Sequence, residues 1–395
     1  MKISIKIHNY VMSKSYYIVF LLVAFGMLAR FLSLEKTNQD LTYYLFPWYE
    51  YISTNGILKA MGDNFSNYAP AYTYLLAIAT TLPLKKIIAI KSISILMDVI
   101  NSILIYKIVK LKYPTGSIPL LASAMFWSLP TVIFNSAYWG QCDGIYTGFL
   151  LMTLYMFMLR RSLAGIVYFS VALAFKLQAI FMAPIIIVLY LKSFFKLEKI
   201  EFKNEIKLWY FALIPLIYIV ISIPTVLLGR DSVEVLSVYF HQTETYKYLN
   251  MNAPNLYFLI SNEYFLPVSK YGFITAVICF FVWIIYTTKL QFNHYTEQLV
   301  ISALASVSLA PMVLPMMHDR YFYPADVISL LVAFFIPRLW FLPLAFQLTS
   351  FLAYSRWLFS FWHVKVFAIA SIINFIIVIY IIKSQKTKNH FNLAF

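Results

Sequence analysis

The sequence predicts an all-α, polytopic integral membrane protein, and three observations predict it. Hydrophobic residues make up 62% of the chain and charged ones only 12%, at a mean hydropathy of +0.75. A soluble domain carries roughly a quarter charged residues. Stretches such as 88–105 and 367–382 are almost unbroken apolar runs, unlike the alternating strands of a transmembrane barrel. About a dozen such stretches approach the roughly 20 residues that a helix needs to cross a bilayer. In hydrocarbon every backbone polar group must be satisfied internally, so each stretch is expected to be helical.

The first span, near 16–33, is followed by no small-residue cleavage pattern and reads as a retained helix rather than a signal peptide. Residues 69–83 are apolar too, but about 15 residues are short for a crossing. They read as a helix in the outer interface, with Tyr68, Tyr72 and Tyr74 suited to that depth and Lys85 and Lys86 at its end. Spans follow near 89–110, 118–134 and 144–160. The pair 162–175 and 178–194 is short and suits a broken or half-penetrating hairpin. The remaining spans lie near 207–229, 271–289, 297–316, 322–337, 339–355 and 361–383. No internal repeat, low-complexity stretch or separate soluble domain is visible, so residues 1–395 read as a single domain.

Lysine and arginine orient these spans. The clusters Lys2/Lys6/Lys14, Lys107/Lys110/Lys112, Arg160/Arg161, Lys192/Lys196/Lys199/Lys203/Lys207 and Lys383/Lys386/Lys388 fall on one side. With Lys289 and Arg338 they hold roughly 18 of the 31 basic residues. That side reads as the cytoplasm, with both termini on it. The net charge of +15 then reflects loops facing anionic lipid, with some cations free to hold a phosphate, rather than a nucleic-acid partner. Three segments lie on the other side: 34–87, the loop 139–143, and 230–270. His318-Asp319-Arg320 opens there as well. Chemistry is expected on this extracytoplasmic face of the plasma (inner) membrane. The two cysteines, Cys142 and Cys279, support neither a disulfide scaffold nor a cysteine-rich metal site.

Polar groups at the edge of hydrocarbon are costly unless paired or used, and this singles out a few positions. Trp139-Gly140-Gln141-Cys142-Asp143 puts an indole, an amide and a carboxylate on one turn, like the wall of a sugar site. Equally, Trp139 suits an interfacial anchor and Asp143 the N-cap of the next span. Asp40, in Asn38-Gln39-Asp40, is followed by Tyr43, Tyr44 and Trp48 and suits a general base for a hydroxyl acceptor. The alternative is a loop acid or a helix N-cap. Lys176, in Ala174-Phe175-Lys176-Leu177-Gln178, is a cation within apolar sequence and suits a phosphate, with Gln178 helping. The alternative is snorkelling to the interface.

His318-Asp319-Arg320-Tyr321 joins a base, an acid, a cation and a phenol. Arg320 can grip a phosphate bidentately and His318 can help neutralise it. The alternative is an Asp319–Arg320 surface pair of little consequence. The spacing is not that of a metal site such as H-E-x-x-H; no cofactor is required, and a divalent metal is left open. Asn252-Ala253-Pro254-Asn255-Leu256-Tyr257, with Arg230, His241, Glu244 and Tyr246, is either the rim of a substrate entrance or an ordinary loop. Asp98, at depth in the second span, reads as a structural partner for a neighbouring helix.

These landmarks come in a telling order. An acid after the first span, Asn67-Tyr68-Ala69-Pro70-Ala71-Tyr72, Trp139-Gly140-Gln141-Cys142-Asp143, Phe175-Lys176-Leu177-Gln178-Ala179, Asn252-Ala253-Pro254-Asn255-Leu256-Tyr257 and His318-Asp319-Arg320-Tyr321-Phe322 together resemble the bacterial relatives of the GPI-anchor second mannosyltransferase, within the GT-C glycosyltransferases. The resemblance covers roughly residues 35–330; each motif alone is weak and the ordered set fairly specific. It implies a GT-C-like fold with about 12 transmembrane helices and an interfacial helix in the first outer loop. It implies an inverting transfer of a sugar, mannose or another hexose, from a polyprenyl-phosphate donor to a hydroxyl of a lipid-linked or cell-surface glycan.

By the same resemblance Asp40 is the catalytic base, and the loop bearing Trp139, Gln141 and Asp143 lies at the cavity. Lys176, His318 and Arg320 meet the donor phosphate, with Gln178 and Tyr321 beside them. The expected partners are that donor, that acceptor and the lipid bilayer. One departure is Ala69-Pro70-Ala71, where many relatives carry a second proline. Two other classes compete. A transporter or lipid-linked glycan flippase would show inverted repeats and broken helices at the midplane, and the sequence shows no clear repeat. A glycan polymerase or ligase would take an oligosaccharide on a diphosphate.

Overall fold

The computed structural model describes residues 2–197, 205–244, 247–361 and 363–386, with side chains from Ser15 onward except those of Thr243 and Glu244. Tyr246, Lys199, Lys203 and Lys388, and the side chains of Lys2, Lys6, Lys14 and Glu244, therefore lie outside the described residues. Most of the rest is helix. α1 (Lys2–Ser33) leads through a π-helical turn, Leu41–Leu45, into three short helices: α2 (Phe46–Asn55), α3 (Ile57–Gly62) and α4 (Pro70–Thr80). Then come α5 (Lys86–Lys110), α6 (Ile118–Trp127) and α7 (Pro130–Ile133), which runs into a second π-helical segment, Phe134–Trp139. α8 (Asp143–Met158) and α9 (Ser162–Phe175) follow, then the 3-10 turn Leu177–Met182 and α10 (Ala183–Phe194). α11 (Leu213–Leu227), α12 (Ser232–Glu244) and α13 (Phe265–Lys289) precede the last four helices. These are α14 (Tyr295–Val313), α15 (Tyr323–Phe335), α16 (Phe341–Phe359) and α17 (Val364–Ser384). β1 (Asn250–Met251) and β2 (Met317–His318) form a short parallel pair.

Among the described residues, seven helical stretches are long and apolar enough to cross a membrane. They are Ser15–Ser33, Lys86–Lys110, Leu177–Phe194, Leu208–Leu227, Asn262–Lys289, Tyr295–Val313 and Val364–Ser384. Ile118–Trp127 and Pro130–Trp139, bent by 49° where Pro130 interrupts the ladder, would add an eighth as one broken span. The chain is therefore membrane-embedded. Every stretch expected to span holds a helix, but α8, α9, α15 and α16 are not among those long and apolar enough to cross, so the structure supports seven or eight crossings among the described residues rather than the roughly 12 expected. The arm Leu177–Phe194 reaches 18 residues because the 3-10 turn continues into α10.

Burial separates a centre from a rim. In α14 83% of the apolar window is buried, against 11% in Ser15–Ser33 and 17% in Leu208–Leu227 and Asn262–Lys289. The rim helices turn Phe20, Phe31, Leu266 and Phe281 outward. Leaving each such side chain in water would forgo about 1.5–3 kcal/mol, a loss that lipid removes. Asp98 takes the structural role expected of it. It pairs with Arg30 at 2.8 Å and accepts from Ser136 Oγ at 2.5 Å, which ties α1, α5 and the second π segment together.

The helix ends sort to two poles. Lys112 reaches Glu297 and the Phe335 carbonyl, Arg160 lies over the Tyr295 ring, and Lys192 Nζ donates to the Leu290 carbonyl. The ends of α5, α8, α10 and α15 thus meet the start of α14 at one basic pole. The starts of α8 and α15 and the ends of α9 and α14 form the opposite pole. α4 forms where a short outer helix was expected, but its aromatic residues do not face an interface. Tyr72 is only 1% exposed, Tyr68 packs between Trp48 and Tyr72, and the Tyr74 hydroxyl donates to the Ile221 carbonyl. Packing on α2 and α5 claims these rings.

Candidate active site

Two π-helical segments build the centre of the site at the pole opposite the basic ends. Such segments widen a helix by a residue and often mark functional positions. Asp40 immediately precedes the first, and Trp139 ends the second. Asn38 locks them together. Its Oδ1 accepts from the Leu41 amide at 3.1 Å, and its Nδ2 donates to the carbonyls of Tyr138 and Trp139 at 3.2 and 3.1 Å. Gly140, at φ +75°, then turns the chain so that Gln141 comes back beside Trp139. The result is a three-donor grip on one oxygen. Trp139 Nε1 (2.8 Å), Gln141 Nε2 (2.6 Å) and an Arg320 terminal nitrogen (2.9 Å) all donate to Asp40 Oδ2. Asp40 makes no capping bond. Its Oδ1 has no hydrogen-bond partner among the described residues, and the side chain is 29% exposed.

A second carboxylate lies beneath. Asp143 is fully buried; Lys176 Nζ meets its Oδ1 at 2.5 Å, while Asn135 Nδ2 (2.8 Å) and Arg320 Nε (3.6 Å) face its Oδ2. Lys176 sits in extended backbone between α9 and the 3-10 turn, and its ammonium lies over the Tyr146 ring. At 8% exposure it does not snorkel. The Arg320 guanidinium also lies 5.0 Å from the Trp139 ring centroid, a cation–π placement. Asp40, Arg320, Asp143 and Lys176 therefore form one chain of alternating charge. Burying charges costs several kcal/mol per ion unless each is paired, and here two anions and two cations cancel.

The turn 252–257 places Arg320. Asn255 Nδ2 donates to the Pro311 carbonyl at 2.8 Å, the Tyr257 hydroxyl to that of Val313 at 3.0 Å, and Asn374 Nδ2 to that of Pro254 at 3.1 Å. The Asp319 amide donates to the Met251 carbonyl at 2.9 Å. This segment is a brace for the end of α14 and the loop after it, not the rim of an entrance. Nor is Asp319 half of a surface pair. It is 1% exposed, its Oδ1 has no hydrogen-bond partner, and burial pushes its carboxyl up to about 7; Arg320 opposes that rise while Asp40 and Asp143 add to it.

His318 lies beside the charged chain. Burial, then the charges of Arg320 and Lys176, push its imidazole well below the usual range. A neutral ring does not neutralise a phosphate, though it can hydrogen-bond one. The ring meets that of Tyr321 edge-on at 5.2 Å. Gln178 reaches the Tyr321 hydroxyl rather than assisting Lys176. His318, Gln178 and Tyr321 thus make a neutral flank beside the charged chain.

Sequence reasoning missed Asn38, Asn135 and Tyr68. Asn135 carried a signal, an amide within an otherwise apolar run. Asn38 showed only its closeness to Asp40. Tyr68, whose hydroxyl lies 3.8 Å from Cys142 Sγ, gave none beyond its motif. No group of three or more His, Cys, Asp or Glu side chains suited to a metal ion occurs among the described residues. Comparison with protein-family models and with curated proteins finds no match to the chain.

Proposed function

We propose that the chain is an inverting GT-C-type membrane glycosyltransferase. In this reading it moves a hexose, such as mannose, from a polyprenyl-phosphate donor to a hydroxyl of a lipid-linked or cell-surface glycan. The Asp40 carboxylate carries the reading. One oxygen is fixed by three donors, the other is left open, and Arg320 links this carboxylate to the Asp143–Lys176 pair. The acceptor hydroxyl gives its proton to Asp40 Oδ1 as its oxygen attacks the anomeric carbon. The bond from that carbon to the phosphate oxygen breaks, and its electron pair leaves on the polyprenyl phosphate. One displacement inverts the centre; retention by double displacement would need a carboxylate nucleophile as well.

The donor carries one negative charge as a phosphodiester and two after cleavage. Arg320 and Lys176 face that growing charge, the place where fixed cations contribute most. Both keep spare donors: Arg320 gives one N–H to Asp40, and Lys176 one to Asp143. They can therefore meet the phosphate without abandoning their carboxylates.

The motif order supports the GT-C reading, with about 12 crossings counted from the apolar stretches. The separation of the site from the basic pole supports a cytoplasmic basic side holding both termini and an extracytoplasmic site. The test is reconstitution in liposomes with polyprenyl-phosphate sugars and, separately, diphosphate-linked oligosaccharides. Mass spectrometry reads the product and NMR its anomeric configuration. One hexose transferred from the monophosphate donor with inversion is expected. Product from the diphosphate donor alone would make the protein a polymerase or ligase. Lipid crossing the bilayer with no new glycosidic bond would make it a flippase. Either result overturns the proposal.

A further inference from the structure

Beside the charged chain, and not on it, lies a cavity of about 400 Å³ between α2, residues 64–67 and α12. That volume is within the ~300–1,000 Å³ of small-molecule sites. Its wall continues from the site. Tyr44 and Trp48 line it, and they follow Asp40 at spacings of four along the continuous helical run Leu41–Asn55. Positions four apart share a helix face. Trp48 also packs on Tyr68, which touches Cys142 in the site loop.

The lining differs in kind from the charged chain. Arg230 is closed on Glu234 through Nε (3.1 Å) and a terminal nitrogen (2.9 Å), and that same nitrogen donates to Asn64 Oδ1. Glu234 balances the cation, whose Nε and one terminal nitrogen are taken up inside the wall. Beyond that pair the wall is mainly rings and neutral polar groups, Tyr44, Trp48 and Phe65 with Ser66 and Gln242, together with the imidazole of His241. Ser66 is 6% exposed, and its Oγ has no hydrogen-bond partner. A buried hydroxyl left unpaired costs about 1–3 kcal/mol, a penalty that a ligand hydroxyl would lift. Aromatic faces for C–H surfaces, together with amides and a hydroxyl for O–H groups, suit a sugar ring.

We infer that this cavity binds an uncharged sugar ring of the acceptor glycan, apart from the cations that meet the donor phosphate. The assignment of that ring to the acceptor rests on the transferase reading; the sugar-binding property does not. The ring's hydroxyl would be presented along the Tyr44 face toward Asp40 Oδ1.

The test measures binding directly, by saturation-transfer NMR on protein in nanodiscs. The probes are a panel of neutral methyl hexosides and, separately, inorganic phosphate. At least one hexoside should bind the wild type. Tyr44→Leu and Gln242→Ala should each weaken it roughly three- to tenfold, the worth of one aromatic face or one hydrogen bond. Both variants should leave phosphate binding unchanged, which also reports that they are folded. No hexoside binding to the wild type, or hexoside binding indifferent to both variants, overturns the inference. Hexoside binding that responds to the variants in a protein with no transferase activity would keep the cavity as a sugar site and discard the transferase reading. Transfer whose acceptor KM ignores both variants would do the reverse.

Discussion

Asp40→Asn separates chemistry from structure. The amide keeps the shape of the carboxylate. Its oxygen can stand where Oδ2 stands and still accept from Trp139, Gln141 and Arg320, while its NH2 takes the open Oδ1 position. Two things are lost, the charge 2.9 Å from Arg320 and the proton acceptor. The ion pair is partly solvated, with side chains 14% and 29% exposed, and its hydrogen bonds survive in neutral form. Its loss should therefore cost about 1 kcal/mol, against roughly 5–15 kcal/mol for a folded domain. A positioned base is worth roughly 10²–10⁴ in rate, or about 3–5 kcal/mol of barrier. Single-turnover transfer should fall at least about 100-fold, while reversible unfolding in SDS moves by about 1 kcal/mol. Asp40→Ala is the poorer test, because it strips three donors of their acceptor at once. Wild-type turnover in Asp40→Asn would remove Asp40 from the mechanism. A loss of rate matched by an equal loss of folded protein would make Asp40 structural.

Further expectations concern the neighbours of Asp40. Lys176→Met leaves the Asp143 carboxylate buried without its 2.5 Å partner and should cost about 3–5 kcal/mol in SDS unfolding. Lys176→Met/Asp143→Leu should recover most of that stability while transfer stays abolished; equal stability of the single variant and the wild type would show that the pair is open. Gly140→Ala forces a side chain into left-handed backbone and brings its Cβ to 3.2 Å from Leu41 Cδ2. A loss of about 1–2 kcal/mol is expected, with a drop in rate as Gln141 shifts off Asp40, and unchanged unfolding and rate would refute the assignment. Asp319 binds its proton more tightly folded, near 7, than unfolded, near 3.8. Its contribution is complete below the unfolded value and is lost as pH rises through about 7. The stability of the wild type relative to Asp319→Asn should accordingly decline from acid to neutral pH and flatten above it; a difference that does not vary with pH would place that carboxyl in water.

The parts of this architecture that show in the sequence are those with a one-dimensional signature. Apolar runs mark the helices because lipid admits few alternatives. Polar residues stranded between those runs mark Asp40, Asp143, Lys176 and Arg320, and all four meet. Their pairing does not show, because it depends on register. Nothing in Leu41–Leu45 or Phe134–Trp139 announces a π-helical turn, yet these turns decide which way Asp40 and Trp139 point. The same blindness explains Tyr68 and Tyr72. An aromatic residue beside a short apolar stretch suits a membrane interface or a packed core equally well, and only the presence of α2 and α5 decides between them. The state of His318 is hidden for a third reason. Burial first, and then the charges of Arg320 and Lys176, push its imidazole down, and none of these can be read along the chain. Local chemistry is thus legible where it is costly by itself, as with a lone cation in hydrocarbon. It is illegible where the cost is shared. That distinction also bears on the site as a working device. Asp143, with no exposed surface, is bound to Lys176, Asn135 and Arg320 at once. Remove it, and two cations lose the counter-charge that holds them side by side. In the proposed transferase its part would be to fix the cations in place in advance, so that the reorganisation a solvent would need is already complete.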